Sequence, residues 1–337
     1  MTSASVAGPA TVLVFLDPDF ENGRVADASK PQLMATDQGA TRGDGVFESL
    51  LAVGGRPRKL QAHLDRLAGS ARALELDIPA EDQWRRAIET AIQTFRSQQA
   101  PDGAEAPAAA PADEVDGAEA PAAAPADEVV VKLLVTRGIE GAGRPTCWVQ
   151  ASAPGAAGRR QRETGIDVLL LDRGYDSEAG ERAPWLLLGA KTLSYAVNMA
   201  ALRYAHHQGA DDVIFTSADG RVLEGPTSTV LLAHLETSDD GQGGVRTIRR
   251  LITPQQDSGI LPGTSQGALF TAAKAAGWEL GYGPLEPKDL LDADAVWLIS
   301  SIRLLAPVNH IDGKEVGTPE LRKQLTAELN ALYATID

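Results

Sequence analysis

Strand-type and helix-type segments are mixed along the whole chain, and this mixture most limits the folds open to it. Runs rich in apolar and β-branched residues predict strands at 11–17, 45–53 and 129–138. Apolar residues recur at helical spacing in 60–76 and 81–99, which predicts two amphipathic helices. This content is typical of an α+β fold, and a length of 337 residues favours two lobes.

The second half of the chain carries the same mixture at higher density. The segment 211–235 predicts a strand, a tight turn at 219–220, a second strand, a break at 225–226 and a third strand. Further segments follow the same two patterns. Strands are predicted at 146–152, at 166–172 and twice within 294–313, and helices at 194–209, 263–277 and 318–336.

Composition divides the chain into parts. The polar, glycine-rich stretch 155–165 predicts a connection between a smaller N-terminal lobe, 1–154, and a larger C-terminal lobe, 166–337. Within the first lobe, 101–129 holds the string "DGAEAPAAAPADEV" twice in succession. Alanine, proline and acids with few large apolar side chains cannot offset the entropy cost of ordering. We therefore predict an inserted, disordered loop without a binding function.

Charge and targeting signals restrict the classes of function. The formal net charge is -15, and the insert 101–129 supplies eight of these charges because it has eight acids and no Lys or Arg. Binding to nucleic acid is therefore not expected. The segment 1–17 lacks a basic start and a long apolar core, so we expect no secretory signal, and without an apolar run of about 18 residues we expect no membrane span. The single cysteine, Cys147, fits a cytoplasmic location.

A glycine-led helix start in "LPGTSQGALFTAAKAAG" gives the clearest signal for a binding site. Gly263, Thr264 and Ser265 lie where a loop enters the helix. Free backbone N–H groups, the helix dipole and two hydroxyls would favour a phosphate there. The alternative is an ordinary N-cap, in which Thr264 or Ser265 satisfies the first turn.

Two further residues are candidates for chemistry. Lys191 follows the apolar run "WLLLGA" and precedes a predicted helix, where its amine could form a covalent bond with a carbonyl cofactor. The alternative is a surface lysine at a strand end. Glu224 ends a predicted strand before a Gly–Pro break and could reach into a site, or it could be an exposed edge acid. No His, Cys or Asp cluster has metal-ligand spacing.

Seven motifs in order resemble those of the class IV pyridoxal-phosphate enzymes, which include branched-chain aminotransferases, D-amino acid aminotransferases and aminodeoxychorismate lyase. The resemblance covers nearly the whole chain outside the repeat and implies fold type IV, with pyridoxal 5'-phosphate as cofactor. The motifs are "DQGATRGDGVFES", "LQAHLDRLAGSA", "KLLVTRG", "KTLSYAVN", "DDVIFTSADGRVLEGPTSTV", "GILPGTSQ" and "LISSIRLLAPV".

The resemblance also implies roles for single residues. Lys191 matches the lysine that binds the cofactor covalently, Glu224 the carboxylate that faces the pyridine nitrogen, and Arg66 an arginine that binds the phosphate. The remaining cofactor-binding positions are Tyr195, Leu261, Gly263, Thr264, Ser265 and Ser301. Arg137 and Phe47 match positions that contact the substrate in some relatives, and Arg137 would bind its carboxylate.

Departures from the family pattern affect the choice of reaction. Tyr195 stands one residue earlier than the tyrosine of branched-chain enzymes, and Thr229 replaces a common asparagine. The motifs favour the lyase and D-amino acid branch, so we expect an aminodeoxychorismate lyase that uses Lys191 as base and acid. The alternatives are an aminotransferase for D-amino acids or branched-chain L-amino acids, and a non-catalytic binding protein. The resemblance also implies a small-molecule substrate and a homodimer.

Overall fold

The computed structural model describes residues 11–99, 127–239 and 245–336. Most of the predicted insert 101–129 lies outside these ranges. The chain separates into two compact units. The first comprises Met1–Gly155 and the short segment Lys191–Ser194, and the second comprises Ala156–Ala190 and Tyr195–Asp337.

The first unit is built on a six-stranded antiparallel sheet with the strand order β2-β1-β6-β5-β3-β4. Its strands are β1 (Thr11–Phe15), β2 (Arg24–Ala26), β3 (Gly45–Val53), β4 (Arg56–Pro57), β5 (Glu128–Thr136) and β6 (Thr146–Ser152). Its helices are α1 (Gln38–Arg42), α2 (Leu60–Ala73) and α3 (Glu81–Gln99). The bounds of β3 and α3 confirm the predictions for 45–53 and 81–99.

Packing of α2 against β3 creates the part of the first unit that matters for function. The face of α2 that carries His63, Leu67 and Ser70 is buried, as a spacing of three and four residues requires. On β3, Val46, Leu50 and Ala52 are fully buried, and they share one face because strand side chains alternate. Any polar side chain on that face must find its partners inside the protein.

The second unit has a mixed sheet with the strand order β11-β10-β9-β12-β13-β7-β8, and β14 pairs with β13. Its strands are β7 (Ile166–Asp172), β8 (Asp212–Thr216), β9 (Thr229–Asp239), β10 (Val245–Pro254), β11 (Glu279–Gly283), β12 (Ala295–Ser300), β13 (Leu304–Ile311) and β14 (Lys314–Glu315). Its helices are α4 (Ala156–Thr164), α5 (Ala179–Arg182), α6 (Ala196–His207), α7 (Thr264–Ala275), α8 (Pro287–Leu291) and α9 (Pro319–Ala334).

The centre of this sheet is buried on both faces. On β9, Val230 and Leu232 point into one apolar cluster while Leu231 and Ala233 point into another. This explains why the central strands are continuous apolar runs rather than alternating ones. Helices α7 and α9 cover the face that contains Leu231. The start of α7 and the end of α9 therefore lie beside the central strands.

The local structure differs from the predictions in several places. The predicted connection 155–165 is mostly helical, because α4 covers most of it, and Arg162 donates hydrogen bonds to the carbonyl oxygens of Ile302 and Arg303. Residues 221–224 make only an isolated bridge between Val222 and Thr216, not a strand. Strands β10 and β11 were missed, since arginines interrupt the apolar pattern of β10. Over the described ranges, no helix is both long and apolar enough to cross a bilayer.

Candidate functional site

The segment Lys191–Ser194 belongs to the first unit, where Thr192 makes an isolated β-bridge with Val46 near the start of β3. Phe47 N–H donates to the Lys191 carbonyl oxygen at 3.0 Å, and Leu193 N–H donates to that of Gly45 at 2.8 Å. The Lys191 N–H donates to Ser70 Oγ on α2 at 3.0 Å. The lysine backbone is therefore held on both sides, by β3 and by α2.

The side chain of Lys191 is half-buried, and its Nζ lies 4.5 Å from the centroid of the Phe47 ring. This distance allows a cation–π contact. The preceding residues Pro184–Leu186 form a 3-10 turn in which Trp185 is 75% exposed, so the apolar run "WLLL" is not a buried strand. The half-buried side chain of Lys191 favours a site residue over the alternative that we weighed, a surface lysine at a strand end. Phe47 and Lys191, two predicted site residues, are in contact.

Arg66 is bound to a buried acid on β3. Its Nε donates to Glu48 Oε1 at 2.6 Å and its Nη2 to Oε2 at 2.8 Å, which is a bidentate pair. The same Oε2 lies 2.8 Å from Nδ1 of His63. Glu48 and His63 are fully buried, and the Arg66 side chain is 12% exposed.

The charges of this group follow from its environment. Burial alone would raise the pKa of the Glu48 carboxyl, but the charge of Arg66 and the hydrogen bonds from Arg66 and His63 bring that pKa down to about 2. Burial lowers the pKa of His63 in spite of Glu48, so its ring is neutral near pH 7. Because ionised Glu48 can only accept, Nδ1 of His63 carries the proton.

Arg137, expected to bind a substrate carboxylate, has partners within its own unit. Its Nε and Nη2 donate to the two carboxylate oxygens of Asp44, at 2.6 and 3.1 Å. Nη2 also donates to the carbonyl oxygen of Leu74 at 2.8 Å, at the end of α2. These contacts support a bracing role for Arg137, and its substrate role stays a prediction.

In the second unit, hydroxyl groups gather at the start of α7. Ser301 Oγ lies 3.1 Å from Thr264 Oγ1 and 3.0 Å from Ser265 Oγ. Tyr333 OH, from α9, donates to Ser265 Oγ at 2.9 Å. The predicted residues Thr264, Ser265 and Ser301 are therefore together, and we call them, with Tyr333, the hydroxyl cluster. The N-cap is Gly263 and makes no side-chain cap hydrogen bond, so the ordinary N-cap interpretation is wrong.

Close approach at Gly263 explains why a glycine begins this helix. A Cβ atom at this position would lie 2.5 Å from Thr229 Oγ1 on β9, which is shorter than any normal contact. Next to Thr229, the buried Ser228 Oγ has no hydrogen-bond partner among the described residues. A small loop with hydroxyls around it and a helix dipole pointing at it suits an anion.

Glu224 also lies in the second unit, where its position is fixed by backbone hydrogen bonds. Its Oε2 accepts from the N–H of Leu261 at 3.2 Å, and its carbonyl oxygen accepts from the N–H of Phe215 at 2.9 Å. Burial raises the pKa of Tyr175 and the Glu224 carboxylate adds to this effect, so the two groups are near each other. Tyr195 is the N-cap residue of α6, and its contact with a cofactor stays a prediction.

Sequence reasoning missed several polar residues of these groups. Glu48 had a signal, since it stands on the apolar face of a strand between Val46 and Leu50. His63 and Ser70 had a weaker one, because they share the buried face of α2. Tyr333 had none, because the contact joins the last helix to the first turn of α7, 68 positions earlier. Within the ranges described, no group of three or more His, Cys, Asp or Glu side chains is placed to hold a metal ion.

Comparisons with known proteins agree with these observations. The model of the family described as amino-transferase class IV matches residues 45–311. A bifunctional aminodeoxychorismate lyase / D-amino acid transaminase of Mycobacterium tuberculosis is 42% identical over 295 residues, which are 88% of this chain and 91% of the relative.

Solved structures show the same fold. A fold IV transaminase from Curtobacterium pusillum is 40% identical with a TM-score of 0.78, and the match covers 96% of this chain and 99% of that one. The PLP-bound form of a hypothetical aminotransferase from Mycobacterium tuberculosis is 38% identical with a TM-score of 0.79 and covers 97% and 99%. These matches confirm the resemblance and the α+β, fold type IV class.

Proposed function

The chain belongs to the class IV aminotransferase family, and on that premise we propose that it is a pyridoxal-phosphate-dependent aminodeoxychorismate lyase. The reaction would convert 4-amino-4-deoxychorismate to 4-aminobenzoate and pyruvate. The observation that carries this proposal is the relative from Mycobacterium tuberculosis, 42% identical and matched over 88% of this chain, whose name includes that activity.

The side chains of both units fit the groups of pyridoxal phosphate. Lys191 offers an amine for the cofactor's aldehyde carbon, and Arg66 offers a guanidinium for its phosphate. In the second unit, the hydroxyl cluster and the loop at Gly263 offer neutral donors that suit a phosphate, and Glu224 offers a carboxylate that suits a pyridine nitrogen. When bound, the cofactor supplies an electron-accepting ring that makes a proton on the amine-bearing carbon removable.

Within this proposal, Lys191 is the residue that moves protons. Its Nζ removes the proton from the ring carbon that bears the substrate amine, and the C–O bond to the enolpyruvyl group breaks as the ring aromatises. The protonated Nζ can then return that proton to the departing group, which leaves as pyruvate. The backbone contacts with Ser70 and Phe47 keep the lysine in place for both transfers.

A second activity, amino transfer from D-amino acids, is supported by the second half of the same relative's name. It would use the same Lys191 and Glu224. The two activities differ in whether a keto acid is needed to accept the amino group from the cofactor and so restore its aldehyde, a step that the lyase reaction does not need. An assay with and without keto acid therefore separates them.

The test supplies 4-amino-4-deoxychorismate to the purified holoenzyme with no keto acid present. Sustained formation of 4-aminobenzoate and pyruvate in equal amounts supports the lyase. No 4-aminobenzoate, together with amino transfer from D-alanine to 2-oxoglutarate, would leave the aminotransferase as the function. A protein that neither acts on these substrates nor gains visible absorbance with pyridoxal phosphate would contradict both.

We further propose a cytoplasmic homodimer. Buried Cys147 is the chain's single cysteine and needs no oxidising compartment. Around α6, Trp185, Val197 and Tyr204 are 75%, 59% and 51% exposed, and exposed apolar side chains of this size favour a contact with a second copy. Light scattering that gives the mass of one chain would contradict the dimer.

A further inference from the structure

The carboxylate of Glu48 is placed where an acid is costly. It lies on the buried face of β3, and its side chain has no exposed surface. Side chains supply three compensating hydrogen bonds, two from Arg66 and one from His63, and the Ser49 N–H donates a longer one to Oε2 at 3.3 Å. Such a buried pair is weak support for stability, since apolar side chains of similar volume often serve as well. Stability alone therefore does not explain why an acid is buried here, and we consider instead the effect of Glu48 on the orientation of Arg66.

The geometry of the pair restricts Arg66 to one orientation. Two parallel hydrogen bonds to one carboxylate fix the plane of the guanidinium as well as its position. His63, three residues earlier on α2, fixes the carboxylate in turn by binding Oε2. Both side-chain partners of Glu48, His63 and Arg66, come from the same face of α2. Strand β3 and helix α2 therefore together set the orientation of the Arg66 guanidinium.

We propose that Glu48, with His63, is a positioning residue for Arg66 and holds its guanidinium in the orientation that binds the cofactor phosphate. This inference rests on the proposed function, in which Arg66 is a phosphate ligand. It assigns to Glu48 no contact with the cofactor. Its effect passes through the arginine alone.

Glu48→Gln tests the inference with little change in shape. One carboxylate oxygen becomes an NH2 group, and this donor faces N–H donors of Arg66 or His63. The bidentate pair cannot form, and the guanidinium turns away. The loss of negative charge would by itself help an anion to bind, so weaker binding of the phosphate can only come from lost orientation.

The measurement is the affinity of the apoenzyme for pyridoxal phosphate and for pyridoxal, which lacks the phosphate. Both ligands use Lys191, so their ratio isolates the contribution of the phosphate. In Glu48→Gln we expect this ratio to fall roughly ten- to a hundredfold, the range seen when groups that orient a ligand-binding side chain are removed. Affinity for pyridoxal should stay within about twofold, as for changes at independent sites.

Two further variants serve as controls. Asp44→Asn makes the same carboxylate-to-amide change in the other bidentate arginine pair of this unit, with Arg137, and should keep the wild-type ratio. Glu48→Asp keeps two acceptor oxygens on a shorter side chain and should restore part of the ratio. A purely structural role of Glu48 would lower both affinities equally and leave the ratio unchanged.

The outcomes separate this inference from the proposed function. A wild-type ratio in folded Glu48→Gln overturns the inference and leaves the proposed function standing. If Glu48→Gln does not fold, the same ratio measured in Glu48→Asp and His63→Gln decides, and wild-type values in both overturn the inference. A wild-type protein that binds neither ligand would overturn the proposed function itself.

Discussion

The two units carry polar groups of opposite character. In the first, Arg66, Glu48 and His63 form a buried group that depends on charge, and Lys191 is held next to it by Ser70. In the second, the hydroxyl cluster is neutral and lies at a helix start. Charged groups lose much when one member is removed, whereas neutral hydroxyls contribute small amounts each. The comparison therefore predicts a descending series of effects.

The largest effect is expected from Lys191→Ala. Removal of the amine to which the proposed function assigns cofactor binding and proton transfer should reduce turnover by roughly a thousandfold or more. The visible absorption band of the lysine-bound cofactor should disappear, which absorbance spectroscopy measures. The backbone contacts of residue 191 do not involve its side chain, so the fold should survive.

Lys132→Ala is the matched control, because Lys132 is an exposed lysine on β5 of the same unit. It should keep the absorption band and the turnover of the wild type. Retained activity in Lys191→Ala would show that the segment Lys191–Ser194 has only a structural role. The proposed chemistry of the first unit would then be wrong.

Glu48→Gln should give the next largest effect, this time on stability. A buried pair that loses one partner costs about 3–5 kcal/mol, because the charge of Arg66 is left uncompensated. The folded carboxyl has a pKa of about 2, against an ordinary value of 4.5. Its stabilisation is therefore complete above pH 4.5 and is lost as the pH falls toward 2. Thermal unfolding across this pH range measures both effects.

His63 acts in the same direction at higher pH. Its folded pKa lies below the ordinary value of 6.5, so the unfolded chain takes up a proton first and stability falls as the pH drops below 6.5. His63→Gln should flatten that part of the curve, whereas Ser301→Ala, in the neutral cluster, should not. Equal slopes of stability against pH in the wild type, His63→Gln and Ser301→Ala would contradict the distinction between a charged and a neutral group.

A smaller effect is expected from Gly263→Ala in the second unit. The added Cβ would stand 2.5 Å from Thr229 Oγ1, and overpacking of this kind costs about 1–3 kcal/mol. The matched control is Gly267→Ala on α7, where the added Cβ meets no atom within 4 Å. This control should stabilise the helix by about 0.5–1 kcal/mol. Opposite shifts of the melting temperature would confirm that the helix start is a close-packed loop.

The parts predicted from the sequence are those that local patterns determine. Periodicity was enough for β3 and α3, and the glycine-led start of α7 was visible without a structure. The helix at 156–164 was missed because it has no buried residue to mark it, and Arg162 contacts the turn between β12 and β13, 140 positions further along the chain. Glu48 was missed because its partners lie 15 and 18 positions away, although its place on a buried strand face was readable.

Tyr333→Phe should have the smallest effect and defines the neutral end of the series. The buried tyrosine loses its hydrogen bond to Ser265 Oγ, at a cost of about 1 kcal/mol. Tyr204→Phe, at a residue that is 51% exposed, should change stability by less than about 0.5 kcal/mol. Chemical denaturation measures both. Because Ser301 also contacts Ser265, the costs of Tyr333→Phe and Ser301→Ala should not add in the double variant. Strictly additive costs would mean that each hydroxyl contributes independently to stability. The second unit would then have no hydrogen-bond network comparable to the charged group of the first unit.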